Sequence, residues 1–195
     1  MIDLRVTFNC LLTALVLSYA TSAFAQNAGG DVLSEDPDVL LDRLGTLTAP
    51  EDAVEARRIA REIEERWSHS GSAAMDLLLA RGREAMEAGE YPKAIAHLTA
   101  LTDTAPGWSE GWALRATAFY LAERWGAALS DIEQALILEP RHFNALAGLG
   151  IIMAQLDEPE LALRAFRKAN QIHPGDENVL RAIGQLEQET GERPV

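Results

Sequence analysis

The chain has 195 residues, 48% of them hydrophobic and 24% charged, with a formal net charge of −13. That is enough for one domain with an apolar interior, and acid spread along the length without a basic patch argues against nucleic acid and anionic membrane surfaces as partners. The one cysteine, Cys10, lies within the first 25 residues, so the rest of the chain has neither disulfides nor a thiolate metal site.

Residues 1–25 read as a signal peptide. Phe8 to Ala20 is an apolar run of secretory length, and Ala23-Phe24-Ala25 is an A-x-A cleavage site. Cleavage before Gln26 would export the chain to the periplasm. Only Arg5 precedes the run as a basic residue, and Asp3 offsets it. The alternative is an uncleaved membrane anchor, although the run is short of a ~20-residue span. No lipobox surrounds Cys10, so no lipid anchor is expected. Residues 26–36 have little hydrophobic pattern and read as a flexible leader.

Residues 37–70 read as an N-terminal helical pair. Val39, Leu40, Leu44 and Leu47 mark a short helix after Pro37. Pro50 opens a longer one, in which Ala53, Ala56, Ala60, Ile63 and Trp67 form an apolar stripe. Arg58–Glu62, Arg61–Glu65 and Glu62–Arg66 are i,i+4 pairs on its polar side. The pair is either a degenerate repeat or, the favoured reading, an N-terminal cap on the next domain. Ser68 to Ser72, with Gly71 inside, is the break.

That next domain, 71–195, is periodic. Pro106, Pro140 and Pro174 are spaced 34 residues apart, defining units 75–108, 109–142 and 143–176. Position 8 of the units is Gly82, Ala116, Gly150; position 20 is Ala94, Ala128, Ala162; position 24 is Leu98, Ile132, Phe166. Apolar positions 4, 8 and 11 follow one helical face, as do 20, 24 and 27, so each unit holds two helices. The proline ends the second helix, because it lacks an amide hydrogen and clashes with the preceding turn. Small residues at 8 and 20 let the pair approach closely. Leu180, Ile183 and Gly184 continue the phase, but Glu187 then replaces the apolar residue at position 11, so 177–191 reads as a solvated capping helix.

These signatures resemble the tetratricopeptide repeat. Trp112, Ala116, Phe119, Ala128, Ile132, Ala135 and Pro140 carry the likeness in the second unit; Leu146, Leu149, Gly150, Ala162, Phe166, Ala169 and Pro174 carry it in the third. The first unit departs from it at Arg81 and Ala85. The resemblance implies an all-α, right-handed solenoid of antiparallel helix pairs. It further implies that the first helices line a concave face. Mapped onto this chain, that groove holds Asp76, Leu79, Arg83, Met86 and Glu87, then Glu110, Ala113, Thr117, Tyr120 and Leu121, then Asn144, Ala147, Ile151, Ala154 and Gln155, with Arg181 and Gln185 extending it. Such a face suits an extended peptide or an amphipathic helix. Chaperone-binding relatives grip a C-terminal carboxylate with basic residues and asparagine. The matching positions here are Leu79, Arg83, Leu114, Asn144 and Gly148, of which only Arg83 is basic, so an acidic C-terminal peptide is not the expected ligand. Arg115, at a position the family keeps apolar, faces Asp131 on the second helix of its unit, and a structural ion pair is expected.

Catalytic motifs are missing from the sequence: there is no G-x-S-x-G, Walker loop, H-E-x-x-H or EF-hand. His69, His97, His142 and His173 are too dispersed to imply a metal site. The expectation is a non-enzymatic interaction module or scaffold with a protein or peptide partner and no cofactor. The rival is a homo-oligomer built on Trp108, Trp125 or the N-terminal apolar stripe. Trp125 is expected in the core, and Trp108, in a turn, is the better interface residue.

Overall fold

A computed structural model describes residues 36–191. The expected signal peptide and nearly all of the leader lie outside the described residues, as do 192–195. Among the described residues every regular element is helical.

Helices α1 (Pro37–Thr46) and α2 (Ala53–Trp67) form the N-terminal pair. The repeats come next as α3 (Ala73–Glu87) with α4 (Tyr91–Thr104), α5 (Ser109–Leu121) with α6 (Trp125–Leu138), and α7 (Phe143–Gln155) with α8 (Pro159–Ile172). Helix α9 (Glu177–Thr190) closes the series. The architecture is the all-α, right-handed solenoid of antiparallel helix pairs that the resemblance implies. Helix α3 begins two residues ahead of the first unit's nominal start, at Ala73.

The small residues at position 8 have a steric cause. A Cβ on Gly82 would lie 2.6 Å from the Leu98 side chain, and one on Gly150 would lie 2.8 Å from the Phe166 ring. Both distances are too short for carbon atoms, so the large residue at position 24 occupies the volume that glycine vacates. Leu98, Ile132 and Phe166 are each buried in the core of their unit.

Each turn between paired helices is built the same way. Gly89 (φ 72°), Glu123 (φ 58°) and Asp157 (φ 60°) occupy the same position in the left-handed region. The next amide then reaches back to a carbonyl five residues earlier: Glu90 N to Ala85 O at 2.8 Å, Arg124 N to Phe119 O at 2.8 Å, Glu158 N to Met153 O at 3.0 Å. This satisfies carbonyls left open at the helix end. Only the first unit uses glycine; Glu123 and Asp157 accept an unfavourable φ for the same closure.

The N-terminal pair does not cap the first unit, the arrangement favoured from the sequence. It lies across the turns that join one unit to the next. Leu40, Leu41, Leu44, Ala56, Ile59, Ala60, Ile63 and Trp67 are buried in one cluster with Phe143, and Ile172 packs against it. Gly45 brings α1 close to the last turn of α8: a Cβ there would lie 3.4 Å from the Gln171 carbonyl oxygen. The first turn of α2 meets the third inter-unit turn, where a Cβ on Gly175 would lie 3.3 Å from Ala56 Cβ. Its last turn meets the first and second: Trp108 Nε1 donates to Trp67 O at 2.7 Å, and the Trp67 ring stacks on His142. Arg141 pairs with Asp42 at 2.7 Å, but Asp42 is exposed and such a pair contributes ~0–1 kcal/mol. Each fully buried Leu or Ile contributes ~1.5–3 kcal/mol, so apolar burial holds the hairpin in place. The hairpin and the third unit thus share one hydrophobic cluster through Phe143 and Ile172.

Trp108, the turn residue offered for an oligomer interface, is half-buried and bonded to α2; Ala56, Ala60, Ile63 and Trp67 of the apolar stripe are buried, and Trp125 packs against the second unit's core. Glu187, expected to face solvent, is half-buried and accepts from Arg167 at 2.9 Å.

Candidate peptide-binding cleft

The first helices of the pairs run parallel, so α5, α7 and α9 together form one concave wall. Between them lies a cleft of about 660 Å³ whose lining includes Arg83, Glu110, Ala113, Thr117, Tyr120, Leu121, Asn144, Ala147, Gly148 and Ile151, together with Glu64 and Asp176. Small side chains at Ala113, Ala147 and Gly148 make the floor. Leu121 and Ile151 are exposed, at 39% and 42%, and Tyr120 is half-buried beside them.

Several residues assigned to the groove lie elsewhere. Leu79 is buried, at 1% exposure, in a cluster with Leu98, Leu101 and Ala118. Alanine occupies the equivalent position in the later units; the longer leucine fills space against the neighbouring helices instead. Met86 packs against the same cluster. Asp76 accepts from Ser70 N at 2.8 Å and Ser70 Oγ at 2.7 Å, which holds its carboxyl below the usual carboxylate range and fixes the linker ahead of α3. Glu87, Ala154, Gln155, Arg181 and Gln185 do not line the cleft.

One end of the cleft is walled by α2 through a polar network. Arg83 Nη2 donates to Glu110 Oε1 at 2.6 Å and to Ser68 Oγ at 2.8 Å. Asn144 Nδ2 donates to Glu64 Oε1 at 2.8 Å. The fully buried His142 completes it. Its Nδ1 accepts from Ala145 N at 3.3 Å, so Nε2 carries the proton and faces Glu110 Oε2 at 3.2 Å. Glu110 is itself buried at 9% exposure, so its carboxylate holds the wall together. The position of α2 cannot be read from the repeat pattern, and Glu64 carries no signal in the sequence that would place it at the cleft.

Behind the wall, Arg115 and Asp131 form the expected pair. Arg115 Nε donates to Asp131 Oδ2 at 2.7 Å and Nη2 to Oδ1 at 2.8 Å, while Nη1 donates to Thr102 Oγ1 at 2.7 Å. The guanidinium also lies 4.8 Å from the Trp112 ring centroid. Its donors are turned into the core, so its part is structural. Among the described residues there is no group of three or more His, Cys, Asp or Glu that could hold a metal, and no helix is long and apolar enough to cross a membrane.

The chain is similar to known proteins in the same terms. The family model described as "Tetratricopeptide repeat" matches residues 79–137 and 113–177. A TPR repeat-containing protein of Rhizobium etli is 33% identical over 154 residues, covering 78% of this chain and 76% of its relative. Among solved structures, the first TPR of Spaghetti (RPAP3) superposes with a TM-score of 0.59 at 21% identity, over 62% of this chain and 96% of that one. The MamA protein does so at 0.56 and 20% identity, over 82% and 85%. Both likenesses are of fold. Tetratricopeptide repeat domains are protein-interaction modules whose stacked helices present an extended concave surface. With the period, the packing at position 8 and the family match in agreement, the chain belongs to the tetratricopeptide repeat family.

Proposed function

We propose that this protein is an exported, non-enzymatic scaffold that holds a peptide or helix of a partner protein in its concave cleft. The observation that carries the reading is the cleft itself. Among the described residues nothing covers its small-residue floor or the exposed Leu121 and Ile151, while Ala56, Ala60, Ile63 and Trp67 of the N-terminal pair are buried against the repeats. Apolar concavity with a few placed polar groups is the usual form of a recognition site. The Spaghetti domain of the same fold is bound to an HSP90 peptide, which supports the type of ligand. Export rests on the first 25 residues and their A-x-A site.

A photo-crosslinking side chain at Ile151, with a second at the exposed Ile137 of α6 as control, tests the cleft. The expected result is a discrete adduct from position 151 that disappears when Ala147→Trp fills the floor, and none from position 137. Adducts of equal yield from both positions would reject the cleft. Mass spectrometry of the native protein tests export: a chain beginning at Gln26 is expected, and an intact N-terminus in the soluble cytoplasmic fraction would exclude it.

A further inference from the structure

The cleft is charged at one end and apolar at the other. Because α5, α7 and α9 run parallel, their first residues share one edge and their last residues the opposite edge. From Glu110 to Leu121 is 11 residues of helix, about 16 Å along the axis. Glu64 and Asp176, the latter accepting from Asn178 N and Val179 N at the start of α9, line the first edge with Glu110, and among the described lining residues one cation, Arg83, stands against them. That cation is already engaged: it bonds Glu110 at 2.6 Å. Glu64 and Asp176 therefore leave the edge net negative, and α2 walls it off. Tyr120, Leu121 and Ile151 form the far edge.

Resting on the cleft reading above, we propose that the occupant is a cationic amphipathic helix, which sets its apolar stripe on Tyr120, Leu121 and Ile151 and its Lys or Arg flank against Glu64 and Asp176. A helix is about 10–12 Å across with its side chains, so it fits within the 16 Å span. An extended acidic peptide would meet the same carboxylates with like charge and find no free cation among the described residues that line the cleft. Complementary charge sets orientation and partner choice more than raw affinity, so the apolar contacts supply most of the binding and the carboxylates supply discrimination.

The test uses three labelled probes in fluorescence anisotropy at physiological salt: a helix of Leu and Lys about four turns long, its Glu-for-Lys counterpart, and the acidic peptide SRMEEVD. Only the Leu/Lys helix is expected to bind. Glu64→Lys should weaken it roughly tenfold, and Glu64→Gln by less. Glu133→Lys, on the exposed side of α6, should leave it unchanged, and Ala147→Trp should abolish it. Equal weakening by Glu64→Lys and Glu133→Lys would reduce the effect to general attraction by an acidic protein and overturn the proposal. Binding of the Leu/Glu helix or SRMEEVD that Ala147→Trp abolishes would overturn the charge preference and leave the cleft reading intact. Leu/Lys binding untouched by Ala147→Trp would overturn both.

Discussion

The indole of Trp67 stacks on the imidazole of His142, with centroids 4.3 Å apart and planes inclined by 22°. One residue ends α2 and the other immediately precedes α7, and 75 positions of chain separate them. Phe143 packs on the same indole at 5.1 Å, and His173 meets Phe143 edge-on at 5.2 Å. This row of rings joins the N-terminal hairpin to two inter-unit turns.

Trp67→Ala should cost about 3–5 kcal/mol, the range for truncating a large buried aromatic. Denaturant unfolding monitored by far-UV circular dichroism measures it. Limited proteolysis should then cut first in the 68–72 linker, since the hairpin loses its largest anchor. A loss below about 1 kcal/mol, well under the buried-aromatic range, would mean the hairpin docks without the ring.

His173 predicts a pH dependence. It is buried, neither ring nitrogen has a partner, and desolvation lowers its pKa, partly countered by Asp176 and Glu64. The folded state therefore favours neutral imidazole, while the unfolded chain takes up a proton near pH ~6.5. Stability from this group is full above about 6.5 and falls as pH drops toward the depressed folded value. His173→Phe should flatten the wild-type decline below about pH 6.5. Unfolding free energies of both proteins across that range provide the check; parallel curves would contradict the burial of the ring.

Arg115 and Asp131 should be coupled. Removing either partner leaves a buried charge and should cost about 3–5 kcal/mol. The double variant Arg115→Met/Asp131→Leu should cost much less than the sum of the two single changes. A thermodynamic cycle without coupling would place the energy in the Thr102 bond and the Trp112 contact.

Gly150 and Gly184 hold the same position in their units and should respond oppositely to alanine. At Gly150 the new Cβ meets Phe166 at 2.8 Å, and the overpacking should cost about 1–3 kcal/mol. At Gly184 nothing lies within 4 Å, so alanine should stabilise α9 by about 0.5–1 kcal/mol through helix propensity. Thermal unfolding of the two single variants decides both signs.

How much the chain discloses before folding depends on the range of each interaction. Contacts inside a unit repeat with the proline period, so the steric pairing of Gly82 with Leu98 and the bonding of Arg115 to Asp131 can be placed from position alone. The stripe from Ala53 to Trp67 shows that α2 has an apolar face, yet nothing in its spacing names what that face meets. Trp108 reads as an exposed turn residue for the same reason: its partner is the backbone of Trp67, in another element. The cleft is legible at Tyr120, Leu121, Asn144 and Ile151, where the period holds. It is misread at Leu79, where a larger side chain turns a groove position into core, and Glu64 is missed because it arrives from outside the period. The left-handed backbone at Glu123 and Asp157 leaves no mark, since only Gly89 shows the residue type that such a φ favours.

A solenoid ordinarily behaves as a row of springs: units touch only their neighbours, and one end can loosen while the other stays closed. Helix α2 and the serine after it remove that freedom. They reach Arg83 and Trp108 of the first unit, His142 of the second and Gly175 of the third, so the segment acts as a brace laid across all the joints. Such a brace should resist stretching or tightening of the superhelical pitch around a guest, and melting should be a single cooperative event rather than fraying from an end.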